Sequence, residues 1–177
     1  MKSLAYLASA AAALALAAPQ PAVAGSANAA AMASEEALAD LYHAAGTTDL
    51  AAGDYRWFDG ADVADAATIV VDLSEQMAFV YDGHRLVGVS TVSTGKRGHE
   101  TPTGSFEILQ KREEHYSNLY DDAPMPFMQR LTWDGIALHA GAVKPEPASH
   151  GCVRLPYEFA QALFDKTDGK TMVHIVA

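Results

Sequence analysis

Residues 67–91 read ATIVVDLSEQMAFVYDGHRLVGVST. Positions 68–73 are rich in β-branched side chains, and 77–81 form a second apolar run. Asp82 and Gly83 interrupt it, and 84–91 resume the same texture. An Asp-Gly pair between such runs is a hairpin signal, because glycine accepts the positive φ a tight turn demands. Further runs of this kind occupy 105–109, 127–132, 135–139 and 171–176, and a second such turn, Asp134-Gly135, separates 127–132 from 135–139. In this half only 156–164 reads as helix. Pro156 suits a first helical turn, and Phe159 and Leu163 share one face at i, i+4. The expectation is a mostly β domain, largely antiparallel, with one or two short helices.

Upstream, residues 34–42 predict a short helix, with Ser34 as cap and Glu35 and Glu36 in the first turn, where acids suit the helix dipole. Residues 25–33 are small and read as a flexible leader. Residues 46–66 are turn-rich, with Tyr55, Trp57 and Phe58 as packing points. The first 24 residues carry Lys2, an apolar run over 4–18, then Pro19, Pro21 and Ala22-Val23-Ala24. That is the pattern of a cleaved signal peptide, with Ala27-Asn28-Ala29 as an alternative cut. The apolar run is short for a membrane span. No cysteine stands near the cut to accept a lipid. The organisation expected is a signal peptide over 1–24, a leader with a short helix over 25–66, and one folded domain over 67–177. About 150 residues would remain after export, enough for a single core. The net charge of −10 argues against a nucleic-acid partner, which needs a basic face. No basic cluster suggests an anionic lipid surface.

The chemistry concentrates in residues 138–156, LHAGAVKPEPASHGCVRLP. Cys152 is the only cysteine in the chain. In an exported protein cysteines usually pair, so a lone one is a buried filler, half of an intermolecular bridge, or a reactive thiol. A thiol attacks as thiolate and needs a base or a positive neighbour. His139 ends a predicted strand, and a loop of twelve residues returns the chain to Cys152. Gly151 permits a tight turn, and the N–H groups of Gly151 and Cys152 could stabilise an oxyanion. The helix after Cys152 would add its dipole if its N-terminus faced the sulfur. His150 is either a hydrogen-bond donor to the reaction or a structural residue. Arg154 either binds a substrate carboxylate or holds the loop. His139, His150 and Cys152 could also ligate zinc, but no fourth ligand stands out. Of the other histidines, His99 and His115 are the two to follow.

At these residues the chain resembles the L,D-transpeptidase family with its YkuD-type catalytic domain. That family carries a histidine, a loop, then [ST]-H-G-C, an apolar residue and Arg or Asn. Here these are His139 and Ser149-His150-Gly151-Cys152-Val153-Arg154. VDLSEQMAFVYDG is similar to the family's opening hairpin, VSTGKRGHETPTGSFEI to its V-S-T-G…T-P-x-G-x-F segment, and MPFMQRLTWDGIALHAG to its M-P-[YF] and G-[IV]-x-[IL]-H stretches. The resemblance covers roughly residues 67–177. One departure is a loop between His139 and Ser149 shorter than in many members.

The resemblance implies a β-sandwich-type catalytic domain. It implies Cys152 as nucleophile, His139 as general base and the Ala140 backbone carbonyl orienting its imidazole. Gly151 and Cys152 N–H groups, with His150 near, would form the oxyanion region. Ser149, Arg154, Met125 and Phe127 would contact substrate, although Met125-Pro126-Phe127 is equally a core-packing turn. Thr101-Pro102-Thr103-Gly104 reads as a structural turn. The implied reaction forms a thioester with a peptidoglycan stem tetrapeptide, releases D-alanine and passes the acyl group to an amine, by cross-linking or by anchoring an outer-envelope protein. Hydrolysis at the same bond, or wall binding without catalysis, are the alternatives. No cofactor, no metal and no nucleic acid is expected, and the location implied is the periplasm or cell envelope.

Overall fold

The computed structural model describes residues 25–58 and 68–177. The predicted signal peptide and residues 59–67 lie outside the described residues. In chain order the elements are α1 (Gly25–Ala45), β1 (Tyr55–Trp57), β2 (Thr68–Asp72), β3 (Met77–Asp82), β4 (Arg85–Thr91), β5 (Gly104–Glu107), β6 (Gln110–Arg112), β7 (Met128–Arg130), β8 (Ala137–Ala140), β9 (Val153–Leu155), α2 (Tyr157–Lys166) and β10 (Met172–Val176). Among the described residues they form a mostly β fold of two sheets and two helices, as the sequence predicts.

The larger sheet has the order β1-β4-β3-β2-β10-β5, and the smaller β6-β7-β8-β9. The predicted hairpin is β3–β4, pairing Met77 with Thr91 and Asp82 with Arg85. Two pairings depart from the antiparallel expectation: β10 runs parallel to β2, and β9 parallel to β8. Parallel neighbours need a crossover. The long 141–152 connection supplies it for β8–β9, and most of the domain lies between β2 and β10.

Alternation in β2 sends Ile69 and Val71 to the space between the sheets and Val70 to the outer face. Both faces are covered, which explains the almost continuous apolar run of the opening stretch. The inner core joins Ile69, Val71, Val80 and Ile175 to Leu138, Val153 and Leu155 of the smaller sheet and to Phe159 and Leu163 of α2. Trp57 stacks on Phe159 at 4.7 Å. The outer face is covered by Ala37 and Leu41 of α1, packed with Val70, Phe79, Leu86 and Val89.

The N-terminal segment therefore differs from expectation. Residues 25–33, read as a featureless leader, belong to a helix of 21 residues. Their many alanines have the highest intrinsic helix propensity. Tyr55, Trp57 and Phe58 do pack, but Tyr55–Trp57 also forms an edge strand on β4.

Candidate active site

The geometry of the site follows from the β8–β9 register. Leu138 pairs with Val153 and His139 with Arg154. One step back along the chain, Cys152 falls beside Ala137. Side chains alternate faces, so Ala137, His139, Cys152 and Arg154 all point to one face of the smaller sheet. His139 and Cys152 are diagonal neighbours there, roughly 7–8 Å apart at the backbone and within reach of a long side chain. Both line a cleft of about 460 Å³, with Ala140, His150, Ser149, Arg154, Met125, Arg130 and His115.

His139 Nδ1 donates to the Ala140 carbonyl at 2.8 Å. That bond fixes the tautomer and leaves Nε2 as the basic nitrogen. Burial lowers the His139 pKa to about 4, against the opposing effect of the Ala140 bond. Burial likewise pushes the half-buried Cys152 thiol up, partly offset by a backbone N–H at Ala137 and by the charges of Arg154 and Arg130. The resting pair is therefore neutral imidazole and neutral thiol. The thiol donates to the Gly135 carbonyl at 3.3 Å, and no hydrogen bond joins it to His139 in this structure.

The turn before Cys152 is tied from within. Ser149 is buried, and its hydroxyl accepts the Gly151 N–H at 3.0 Å and donates to the Cys152 carbonyl at 2.5 Å. Ser149 lines the cleft, and its hydroxyl shapes the turn. One expectation is corrected. The Gly151 N–H is committed to Ser149, so of the two expected oxyanion donors the Cys152 N–H is the uncommitted one. Gly151 has φ +112°, and an added Cβ would stand 2.8 Å from Ile136 Cδ1, so only glycine fits this bend. Thr101 Oγ1 accepts the Gly95 N–H and donates to the Gly151 carbonyl, each at 2.8 Å, so the predicted structural turn braces the cysteine loop.

Three further expectations change. β9 carries the chain about 13 Å from Cys152 before α2 begins, so the helix N-terminus is not delivered to the sulfur. Phe127 lines an adjoining pocket, which shares His115, Pro124, Pro126 and Tyr157 with the cleft, and not the cleft around Cys152 itself; its ring packs edge-on against Tyr157 at 5.2 Å and lies 5.9 Å from that of Phe164. Its neighbour Met125 is buried in the cleft wall with Met128, Ala137 and Cys152. Arg154 lays its stem along Gly141, and its guanidinium has no hydrogen-bond partner among the described residues.

The sequence reading missed the segment that covers the cleft. Residues 117–123 form a compact loop, closed by the Ser117 N–H to the Ala123 carbonyl and by Ser117 Oγ accepting from Leu119 and Tyr120. Tyr120 stacks on the exposed His150 at 4.4 Å, and His99 meets the same imidazole edge-on at 4.7 Å. Leu119 lies over Gly135, whose carbonyl holds the thiol. A leucine and a tyrosine inside an Asp-rich turn was the available signal, but it carries no periodicity. His115 lines the cleft and Arg130 Nη2 donates to it. Among the described residues no Asp or Glu lines the cleft, and no three His, Cys, Asp or Glu side chains are grouped to hold a metal.

Known proteins with similar sequences or folds point one way. A family model described as the L,D-transpeptidase catalytic domain, YkuD, matches residues 66–175. No curated protein sequence matches. Similar solved structures include an L,D-transpeptidase from Mycobacterium tuberculosis, at 23% identity over 63% of this chain and 58% of that one, TM-score 0.60. Another is from Stackebrandtia nassauensis, at 27% identity over 67% of this chain and 61% of that one, TM-score 0.58. A third, L,D-transpeptidase 3 from Mycobacterium tuberculosis with a faropenem-derived adduct, shares 22% identity over 63% and 60%, TM-score 0.58. The chain thus spans about three fifths of the length of these structures.

Proposed function

The chain belongs to the YkuD family of L,D-transpeptidase catalytic domains, and from that premise we propose that it is a cysteine acyltransferase acting on peptidoglycan stem peptides. The donor is a stem tetrapeptide, cut at the bond from its L-centred third residue to the terminal D-alanine. Cys152 Sγ attacks that carbonyl carbon while its proton passes to His139 Nε2. The oxyanion accepts the Cys152 N–H. The C–N bond then breaks, His139 protonates the departing amine, and D-alanine leaves a thioester on Cys152. An acceptor amine, from a second stem or from a protein lysine, attacks the thioester and gives its proton to His139, restoring the thiol. The thioester conserves acyl-transfer potential, so no ATP is required, which suits an exported enzyme. Export to the periplasm or envelope is part of this proposal and rests on the signal-like sequence at 1–24.

The observation that carries this reading is the pairing of one thiol with one neutral imidazole on a common face of one cleft. Its Nδ1 is fixed by a backbone carbonyl, doing the orienting that a triad acid does elsewhere. Because both partners rest neutral, His139 acts as a general base during attack and not as half of a standing ion pair. Arg154 stands in the same row as His139, on the side to which the leaving amine must turn. Its unpaired guanidinium suits the carboxylate of the departing D-alanine. Incubation with a tetrapeptide muropeptide and an amine acceptor, read by mass spectrometry, tests the reading. A ligated product that disappears in Cys152→Ala is expected. Trimmed peptide alone would make the protein an L,D-carboxypeptidase, and unchanged turnover in Cys152→Ala would exclude this nucleophile.

A further inference from the structure

The cleft floor is a grid set by strand register. Arg130 on β7 pairs with Ala137 on β8, and Cys152 follows in the same row. The adjacent row runs Met128, His139, Arg154. Neighbouring strands lie about 4.8 Å apart, so Arg130 stands roughly 10 Å from Cys152 at the backbone, with only a methyl group between them. Its side chain lines the cleft, with Nε held toward Gln110 of β6, on the far side of β7 from Cys152.

Arg130 is held without being neutralised. Its Nε donates to Gln110 Oε1 at 3.3 Å and its Nη2 to His115 Nε2 at 3.5 Å. The guanidinium also lies 5.9 Å from the centre of the Trp133 ring. Gln110 is neutral. His115 is kept neutral by burial and by the charges of Arg130 and Arg112, which lower its pKa. Among the described residues Arg130 has no salt-bridge partner. The chain carries 22 acidic against 12 basic residues, yet among the described residues no acid lines the cleft; Glu113 and Glu114 line the adjoining pocket. An oriented and uncompensated fork is suited to a planar oxyanion.

Direction follows from the proton. The leaving amine must face His139, so the departing residue occupies the row of His139 and Arg154. Arg130 lies in the sulfur's own row, beside the half of the donor that stays on the enzyme. We infer that Arg130 reads a carboxylate on the acyl half of the donor, distinct from the terminal carboxylate that leaves. This inference rests on the acyltransferase reading above. Two groups of a stem peptide supply such a carboxylate: the side chain of a diamino diacid at the third residue, and the α-carboxylate of the γ-linked glutamate before it.

The test compares tetrapeptides with each of these carboxylates free or amidated, on the intact protein. For the wild type, amidating one of the two is expected to lower kcat/KM by about tenfold to a hundredfold. In Arg130→Gln the ratio of free to amidated donor should collapse toward one, with Arg130→Lys between, since lysine keeps the charge and loses the fork. Arg130 acting only on the sulfur's pKa would slow every donor alike, which overturns the inference. So would a wild type indifferent to both amidations, or a preference that survives in Arg130→Gln. Those outcomes leave the proposed activity standing, whereas no turnover of any donor by the wild type overturns both.

Discussion

Replacing Thr101 with valine keeps the shape of a buried side chain and removes only its hydroxyl. That hydroxyl joins the Gly95 N–H to the Gly151 carbonyl with two bonds of 2.8 Å. Losing both bonds, and stranding at least the buried Gly151 carbonyl, costs about 2–4 kcal/mol. In urea this lowers the unfolding midpoint by about 1–2 M at the slope usual for a small domain. The effect also reaches the chemistry, because the Gly151 carbonyl and the Cys152 N–H belong to one peptide unit. Once the carbonyl is free, the N–H proposed to meet the oxyanion is no longer aimed. Acylation should slow by about tenfold to a hundredfold, less than complete loss of an oxyanion donor. Alkylation of Cys152 by a small reagent, which uses no oxyanion site, should be unaffected. Thr101→Ser keeps both bonds and serves as control. A valine variant with the wild-type midpoint and acylation rate would refute the brace.

Because burial lowers His139 to a pKa of about 4, it stays a competent base in mild acid. The acid limb of kcat/KM should fall near pH 4, and a limb at the ordinary histidine value would contradict the assignment. The same depression links to folding: stability is full above the unfolded value of about 6.5 and is lost as pH falls through the folded value, by about 3 kcal/mol, and His139→Gln should flatten that slope in acid titrations of stability. Leu41→Ala, which uncovers the outer face of the larger sheet, should cost about 2–4 kcal/mol in chemical unfolding, whereas the exposed Tyr42→Ala should stay within about 0.5. A carbapenem should add one drug mass to the wild type and none to Cys152→Ala by intact-protein mass spectrometry.

The hairpin β3–β4 and the strands β2 and β10 were legible because each is long enough for β-branched residues and turn glycines to declare it. β6 was not, because Gln110, Lys111 and Arg112 carry no apolar signal and are held by pairing with β7. β9 was hidden inside the cysteine motif, since Val153 and Leu155 make only one alternation. Two parallel pairings were invisible for the same reason: strand direction is decided between segments far apart in the chain.

Order in the chain was enough to nominate Cys152 and His139, since a lone thiol, a histidine and a glycine turn are chemistry written in residue types. It was also enough to nominate Thr101 as part of a turn. Tertiary structure alone decided where the remaining polar groups went. Ser149 and the Gly151 N–H satisfy each other inside the loop, and Phe127 turns to α2, because buried hydrogen bonds and ring packing are settled by neighbours and not by sequence position. Arg130 and the 117–123 loop entered the site only through register and folding back. No local pattern encodes a contact made across three strands.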